Sequence, residues 1–265
     1  MGDVPRSVQL KLGRVDKHME TLDESIKAFL KPKPYSAMRV LEGDGRDHVL
    51  IWDDYVEPPD DFGLIAGDAI HNLRSSLDHM AVELARAGAT AQNVAMTAKE
   101  IAGIQFPIVL FEDDFAKQLG RGRLKYVEPA AQAFIESSQP YRMTPKMPAW
   151  NNLYLVGELD NADKHRLLTT AGLAPGVIKD NWPSTLNETP LRTPEISLAP
   201  ERGAEIGRFS FATPQREVDV PVDFKWGFTL LIGQTWHVHD IRFIIGNYIS
   251  TVRWLVNELS RNFLP

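Results

Sequence analysis

The apolar positions of residues 61–86 recur at steps of three and four residues, which is the spacing of one face of an α-helix. These apolar residues are Phe62, Ile65, Ala66, Ala69, Ile70, Leu73, Leu77, Met80, Ala81 and Leu84. The other half of the cylinder carries Asp68, His71, Asn72, Arg74, Ser75, Ser76, Asp78 and His79. A solvated helix face normally carries Glu, Lys, Gln and Arg, because Asn, Ser, Asp and His are mediocre helix formers. The pattern therefore predicts a central helix whose polar face is either a site or a buried polar network.

The polar residues of this helix fall into two neighbouring stripes at about 100° per residue. One stripe consists of Asp68, Asn72, Ser75 and His79, and the other of His71, Arg74 and Asp78. A second helix is predicted over residues 150–164, and its polar stripe consists of Glu158, Asn161 and His165. The supporting polar residues that we expect around a site are Asp68, His71, Asn72, Asp78, Glu158, Asn161 and His165.

The rest of the chain predicts an α+β fold. Long helices are expected at residues 7–30, 61–86, 150–164 and 237–262, and a shorter one at 127–138. Strands are expected at residues 35–41, 48–56, 166–173, 205–212 and 217–228. We therefore expect four long helices with a mostly antiparallel sheet of about five strands. Residues 1–265 are expected to form a single α+β domain with an irregular Pro-rich connector at about 175–203, the alternative being a helical core with a separate small β unit.

Composition narrows the chemistry. The chain has 265 residues, a net charge of −6 and no cysteine, so disulfides, thiolate nucleophiles and Cys-ligated zinc are excluded. The lack of cysteine fits a reducing cytoplasm. The sequence has no run of about 18 apolar residues, so it predicts no membrane-spanning helix. The glycine-rich stretch Gly120-Arg121-Gly122 matches neither phosphate-loop fingerprint. We expect a cytoplasmic protein without a cofactor and without a membrane partner.

Metal binding is one alternative for the polar residues. The chain offers imidazoles and carboxylates at His71, His79, His165, His237, His239, Asp68, Asp78, Asp163 and Asp240. These residue types bind zinc, iron or manganese, but no close pair of the H-E-x-x-H kind is present. We therefore expect no metal site, and a metal-dependent hydrolase stays the third hypothesis for the function.

A basic stretch at residues 117–125 has two interpretations. It holds Lys117, Arg121, Arg123 and Lys125 with no acidic residue between them. Exposed charges usually belong to a solvated loop. The alternative is that Arg121, Arg123 and Lys125 contact a nucleic-acid backbone.

The segment Arg74-Ser75-Ser76-Leu77-Asp78-His79 spells R-x4-H. It resembles the signature of the HEPN superfamily, whose members have R-x4-6-H with a polar residue directly after the Arg, as Ser75 is here. The wider phrases HNLRSSLDH and LDNADKHR also resemble a family of bacterial proteins without a defined activity. The HEPN resemblance implies a helical core, and a metal-independent endoribonuclease or toxin/defence-type effector that acts as a homodimer on RNA, with an antitoxin or another protein as partner. It also implies His79 as acid/base, Arg74 as phosphate ligand and Ser75 as a supporting group.

Elementary chemistry agrees with these residue types. Cleavage by the ribose 2′-hydroxyl needs a group that titrates near neutrality, which histidine supplies, and a fixed positive charge at the phosphate, which arginine supplies. Residues five apart on one helix nevertheless diverge by about 140° and about 7.5 Å. Arg74 and His79 therefore need a second copy of the helix, or the helix at residues 150–164, to act on one phosphate.

A structural network is the second hypothesis, for a non-catalytic helical interaction protein. Arg74 can pair with Asp78 one turn away, and His79 with Ser75 or Glu83. His71 can reach another helix, for instance at Glu158 or Asn161. A satisfied network of this kind requires the same residue types as a catalytic site.

Overall fold

A computed structural model of the chain describes residues 2–173, 176–178, 202–216, 222–224, 227–232, 235–236 and 239–265. Its helices are α1 (Arg6–Leu30), α2 (Asp61–Ala91), α3 (Ala98–Gly103), α4 (Glu112–Gly120), α5 (Pro129–Ser137), α6 (Pro140–Met143), α7 (Asn152–Asp163) and α8 (Ile241–Phe263). Its strands are β1 (Ser36–Glu42), β2 (Asp47–Asp54), β3 (Thr170–Leu173), β4 (Gly176–Ile178), β5 (Glu205–Ser210), β6 (Val222–Phe224), β7 (Gly227–Ile232) and β8 (Thr235–Trp236). The mixed α+β class is confirmed, and α1, α2, α7 and α8 are the four long helices.

The central helix extends farther than the sequence pattern indicated. Helix α2 ends at Ala91 instead of residue 86, because the alanines of its last turns are good helix formers. Gly88 is the exception in this stretch, and a side chain there would collide with the backbone carbonyl of Tyr126. A glycine is therefore required where that loop crosses the helix.

The strands form smaller sheets than expected. β1 and β2 pair as an antiparallel hairpin, and Asp44 and Gly45 in its turn have positive φ angles of 60° and 89°. β5 adds to the other edge of β2, so strands from before and after the helical middle do share a sheet. That sheet has three strands, and the remaining described strands pair as β3-β7-β8 and β4-β6. The prediction of one sheet of about five strands is wrong, because the later strands pair with one another instead of extending the hairpin sheet.

The described chain divides into two compact units. Unit 1 consists of residues 1–21, 64–168 and 242–265, and unit 2 of residues 22–63 and 169–241. The expectation of a single domain stays a prediction. The predicted connector at about 175–203 lies almost wholly outside the described residues. No described helix has both the length and the apolar character that crossing a membrane requires.

Unit 2 is organised around a cluster of aromatic rings. The rings of Phe62 and Phe228 lie 4.8 Å apart, and Phe29 lies within 6 Å of both, at 5.8 and 5.6 Å. Tyr35 connects this group to Trp52, whose ring is 5.5 Å away in an edge-on arrangement. Such edge-on contacts add to the free energy of apolar burial. The cluster therefore anchors the hairpin sheet within unit 2.

One buried histidine in this sheet is not explained by packing alone. His48 lies in the central strand β2 opposite Leu41 and Phe209, and its side chain is fully buried. Burial lowers the pKa of His48, and the positive charge of Arg39 lowers it further. The backbones of Gln215 and Gly45 act in the opposite direction, although neither ring nitrogen completes a hydrogen bond within the described residues. The folded sheet thus favours the neutral imidazole.

We predict that acidification destabilises the protein through His48. In the unfolded chain His48 has its ordinary pKa of 6.5. The unfolded chain therefore binds more protons than the folded chain just below that pH. The free energy of unfolding should consequently fall as the pH drops through and below about 6.5. Thermal unfolding measured between pH 8 and 5 should show this decrease in the wild type and a smaller one in His48→Gln. The exposed His165→Gln is the control, and an equal pH dependence in all three proteins would contradict the prediction.

Candidate functional site

Helices α2 and α7 lie side by side in unit 1 and run antiparallel. Gly67 faces Asp163, and His71, one turn further along α2, faces Asp160, almost one turn earlier on α7. The Asp163 carboxylate occupies the space that a side chain at position 67 would fill. Glycine at this position therefore allows the end of α7 to approach α2 closely.

A buried carboxylate joins the two helices. The Nδ1 atom of His71 lies 2.8 Å from Oδ1 of Asp160, and Nζ of Lys164 donates to Oδ2 at 2.6 Å. The Asp160 side chain is 3% exposed, whereas that of His71 is 53% exposed. Because a carboxylate only accepts hydrogen bonds, Nδ1 of His71 donates its N–H to Asp160. Asp160 thus fixes both the tautomer and the orientation of an accessible imidazole.

An extended segment at residues 104–109 is fastened to α2 by side chains. Arg74 donates from Nη2 to the carbonyl of Phe106 at 2.8 Å, and the Phe106 N–H donates to Oδ1 of Asp78 at 2.8 Å. Arg74 and Asp78 also pair with each other at 3.0 Å. The segment belongs to none of the described strands, so these side chains take the place of a neighbouring strand.

Gln139 fastens the same segment from the other side. Its side chain is completely buried; Oε1 accepts the N–H of Val109 at 3.0 Å, and Nε2 donates to the carbonyl of Pro107 at 2.9 Å. Every one of these groups would be an unpaired buried polar atom without its partner. The segment is therefore held rigidly beside α2 and α7.

Between α2, α7 and the segment lies a cavity of about 280 Å³. It is lined by His71, Arg74, Ser75, Asp78, Gln105, Ile108, Tyr154, Gly157, Glu158, Asp160, Asn161 and Lys164. The α2 contribution has the spacing i, i+3, i+4, i+7. Tyr154, Gly157, Glu158 and Asn161 have the same spacing, and Asp160 is added beside them. Each helix therefore presents one face to the cavity. We call this cavity the trench.

The trench holds two basic side chains and three carboxylates. Arg74 and Lys164 face the carboxylates of Asp78, Asp160 and Glu158. Burial raises the pKa of Asp78 above its ordinary value, although Arg74 and the Phe106 N–H act in the opposite direction. Nη1 of Arg74 is buried and has no hydrogen-bond partner among the described residues. The guanidinium is therefore not fully hydrogen-bonded, and only a small part of it, at 17% exposure of the side chain, faces the trench.

The aromatic residue of the trench is coupled to its neighbour on α7. Burial raises the pKa of Tyr154, and the negative charge of Glu158 and a hydrogen bond to it raise the pKa further. Glu158 lies one turn after Tyr154, and helical side chains lean towards the N-terminus. The carboxylate thus reaches back to the tyrosine hydroxyl.

The structure brings together some of the residues expected from the sequence and separates others. The expected residues that line the trench are Arg74, Ser75, His71, Asp78, Glu158 and Asn161. Asp68, Asn72, His79 and His165 are not part of its described lining. Asn72 instead donates to the backbone carbonyl of Asp68 at 2.8 Å. His79 is half-buried and is carried by α2 to a different side of the helix from Arg74.

The basic stretch at residues 117–125 is largely engaged within unit 1. Arg123 donates to the carbonyl of Gly103 at 3.1 Å. Lys125 pairs with Glu100 at 2.7 Å, and Lys117 with Asp114 at 2.7 Å. Arg121 is exposed. These contacts favour the interpretation of a solvated loop, and a nucleic-acid contact at Arg121, Arg123 and Lys125 stays a prediction.

Sequence reasoning missed the importance of Asp160, Lys164 and Tyr154. Asp160 and Lys164 have the ordinary spacing of a surface ion pair, and the sequence favours that interpretation. A signal was nevertheless present, because Asp160 continues the buried stripe of Leu153 and Val156 at i, i+3, i+7. An acidic residue on the apolar face of a helix needs a partner.

The alternative of a metal site has no support from the described residues. None of their His, Asp and Glu side chains form a group of three or more that could hold a metal ion. His237 lies outside the described residues. The metal-dependent hydrolase stays a prediction.

We predict that Gln139→Ala lowers the free energy of unfolding by about 2–4 kcal/mol, because it leaves the Val109 N–H and the Pro107 carbonyl buried and unpaired. Urea unfolding followed by circular dichroism measures the change. Gln118→Ala, on the half-exposed side of α4, is the control and should change the free energy by less than about 0.5 kcal/mol. Equal stability of the two variants would show that Gln139 does not hold the segment.

Searches of protein-family models, curated proteins and solved structures find no match to this chain. The resemblance to the HEPN signature at Arg74–His79 is therefore tested by none of them. Any functional assignment therefore depends on the geometry of the trench.

Proposed function

We propose that the trench is a metal-independent acid/base site that cleaves phosphodiester bonds in RNA, with His71 as the proton-transfer group. The observation that carries the proposal is the 2.8 Å contact between Nδ1 of His71 and Asp160, in the same cavity as Arg74. A histidine oriented by a buried carboxylate is suited to general base catalysis. The proposal keeps the reaction class that the HEPN resemblance implies but transfers the acid/base role from His79 to His71.

The chemistry follows from the groups in the trench. Nε2 of His71 takes the proton of a ribose 2′-hydroxyl, and O2′ attacks the adjacent phosphorus. The bond from phosphorus to O5′ breaks, and O5′ takes a proton from water. The proton on Nε2 of His71 passes to the hydroxide that remains, which regenerates the water and the free base. The products are a 2′,3′-cyclic phosphate and a 5′-hydroxyl end. Arg74 stabilises the charge that gathers on the phosphate oxygens, since its guanidinium lines the same cavity and its side chain is 17% exposed.

This assignment removes the geometric difficulty of the R-x4-H pair. His71 precedes Arg74 by three residues, so both lie on one side of α2, whereas His79 diverges from Arg74 by about 140°. Asp160 and Lys164 come from α7 of the same chain. A homodimer and an antitoxin or another protein partner stay predictions, but the proposed site is complete in one copy of unit 1.

A structural network in a non-catalytic interaction protein is the second candidate. The observation that favours it is that Arg74 and Asp78 bind both the carbonyl and the N–H of Phe106. On this interpretation the polar side chains fasten the segment at residues 104–109, and the trench takes no substrate. The two candidates make opposite predictions for catalysis by the wild type.

We predict that purified protein cleaves single-stranded RNA in the presence of EDTA, and that His71→Ala lowers the rate by about 10²-fold or more. His79→Ala is the matched control on the same helix and should leave the rate close to that of the wild type. Cleavage is followed by gel electrophoresis and by the detection of 2′,3′-cyclic phosphate ends, with circular dichroism as the test of folding. Loss of cleavage in His79→Ala alone would return the role to the R-x4-H pair. Absence of cleavage by the wild type would leave the structural network.

We also predict that Asp160→Asn lowers kcat by about 10²-fold or more with little change in KM, because the amide no longer fixes the proton on Nδ1 of His71. The control is Asp163→Asn, which alters a carboxylate of the same helix that faces Gly67 instead of His71. Steady-state rates for both variants test the role of Asp160. Similar losses of kcat in the two variants would contradict it.

A further inference from the structure

The two ends of the trench differ in chemistry. Since α2 and α7 are antiparallel, the α7 residues opposite His71 are Asp160 and Lys164, whereas Tyr154 lies two turns away, towards Asp78. Two turns of helix span about 11 Å. One end therefore holds the oriented histidine, and the other holds a tyrosine with a carboxylate beside it. Arg74 lies between them on α2.

The tyrosine end offers the groups that bind an unpaired base. Tyr154 is half-buried in the wall of the trench, and aromatic rings are the usual platforms on which single-stranded bases stack. Glu158 accepts the Tyr154 hydroxyl and, being exposed, keeps further acceptor positions. Gln105 adds an amide to the lining. A carboxylate accepts from an exocyclic amino group but repels a base edge that has only acceptors there.

A glycine forms part of the α7 wall of the trench. Gly157 lies between Tyr154 and Asn161 on the α7 stripe, and a Cβ atom there would stand 3.6 Å from Cδ1 of Ile108. A larger side chain would therefore cross the trench to the wall at residues 104–109. A cavity of about 280 Å³ is at the small end of ligand pockets, which suits one nucleotide and not a duplex.

We infer that the Tyr154 end is a recognition subsite for one unpaired base that carries an exocyclic amino group. Tyr154 stacks on the base, and Glu158 accepts from its amino group. The inference rests on the proposed function, since it takes the phosphate beside that base to lie at Arg74 and His71. It adds a substrate preference, namely for single strands with cytosine, adenine or guanine at this position over uracil.

The test measures binding without cleavage. Short fluorescent 2′-deoxyoligonucleotides, which lack the attacking hydroxyl, carry cytosine, uracil or an abasic site at one central position. Fluorescence anisotropy gives their dissociation constants for the wild type. We expect cytosine to bind about tenfold more tightly than the abasic site, as is usual for one stacked base, and several-fold more tightly than uracil. Equal binding of all three would overturn the inference.

Variants assign the two preferences to their side chains. Tyr154→Ala should abolish the difference between cytosine and the abasic site, and Glu158→Gln should abolish only the difference between cytosine and uracil. The matched control is Tyr141→Ala, since Tyr141 is also half-buried and its hydroxyl also donates to a glutamate, Glu136, at 3.2 Å. An equal effect of Tyr141→Ala would contradict the subsite.

A second variant tests the subsite while Tyr154 stays in place. Gly157→Leu should fill the trench and weaken binding of all base-bearing oligonucleotides to the abasic level. Gly13→Leu on α1, where nothing lies within 4 Å of an added Cβ, is its control.

Base-dependent binding without RNA cleavage would refute the proposed function and leave the subsite. Cleavage of RNA without base-dependent binding would refute the subsite and leave the proposed function.

Discussion

The buried carboxylate of Asp160 is the interaction on which the site depends. An ionised side chain inside a protein costs several kcal/mol unless charged or polar partners surround it. Asp160 is 3% exposed and finds these partners in His71 of α2 and in Lys164, which directly follows α7. The pairing with His71 sets α7 against α2 in one register. It also brings Asp163 onto Gly67, where only a glycine leaves room.

The second constraint is the backbone of residues 104–109. This segment pairs with no described strand, yet Phe106 and Pro107 are buried. Its N–H and carbonyl groups need partners, and Arg74, Asp78 and Gln139 provide them. Arg74 and Asp78 therefore have a structural role and also line the trench. Asp78 is one of the poor helix formers of α2, and this double role accounts for its place on the helix.

In the proposed site, the residues that act together are close in space and not necessarily close in the sequence. Arg74 and His79 are close in the sequence, but the helix turns them apart. His71 and Asp160 are 89 residues apart and lie in contact. If the trench is catalytic, the histidine that matters is the one that another helix orients. The base subsite follows the same logic, because Tyr154 comes from α7 and Gln105 from the extended segment.

Much of the local structure could be predicted from the sequence. Periodicity located the four long helices, because an apolar stripe every three to four residues has few other solutions. Turn chemistry located the hairpin around Asp44 and Gly45, since positive φ angles favour these residues. The unusual polar face of α2 marked the candidate site. The size of the sheets was not predictable, because strand partners are chosen by contacts between distant residues.

The amino-acid sequence by itself determined that α2 carries His71, Arg74 and Asp78 on one stripe and Ser75 on the neighbouring one, since helix geometry alone sets which side chains share a stripe. Only the tertiary structure decided which of the two histidines on α2 is oriented by a carboxylate, and that Asp160 belongs to the site instead of to a surface ion pair. The physical reason is that a buried charge acquires its partner from another element of the fold, and sequence spacing does not record that contact.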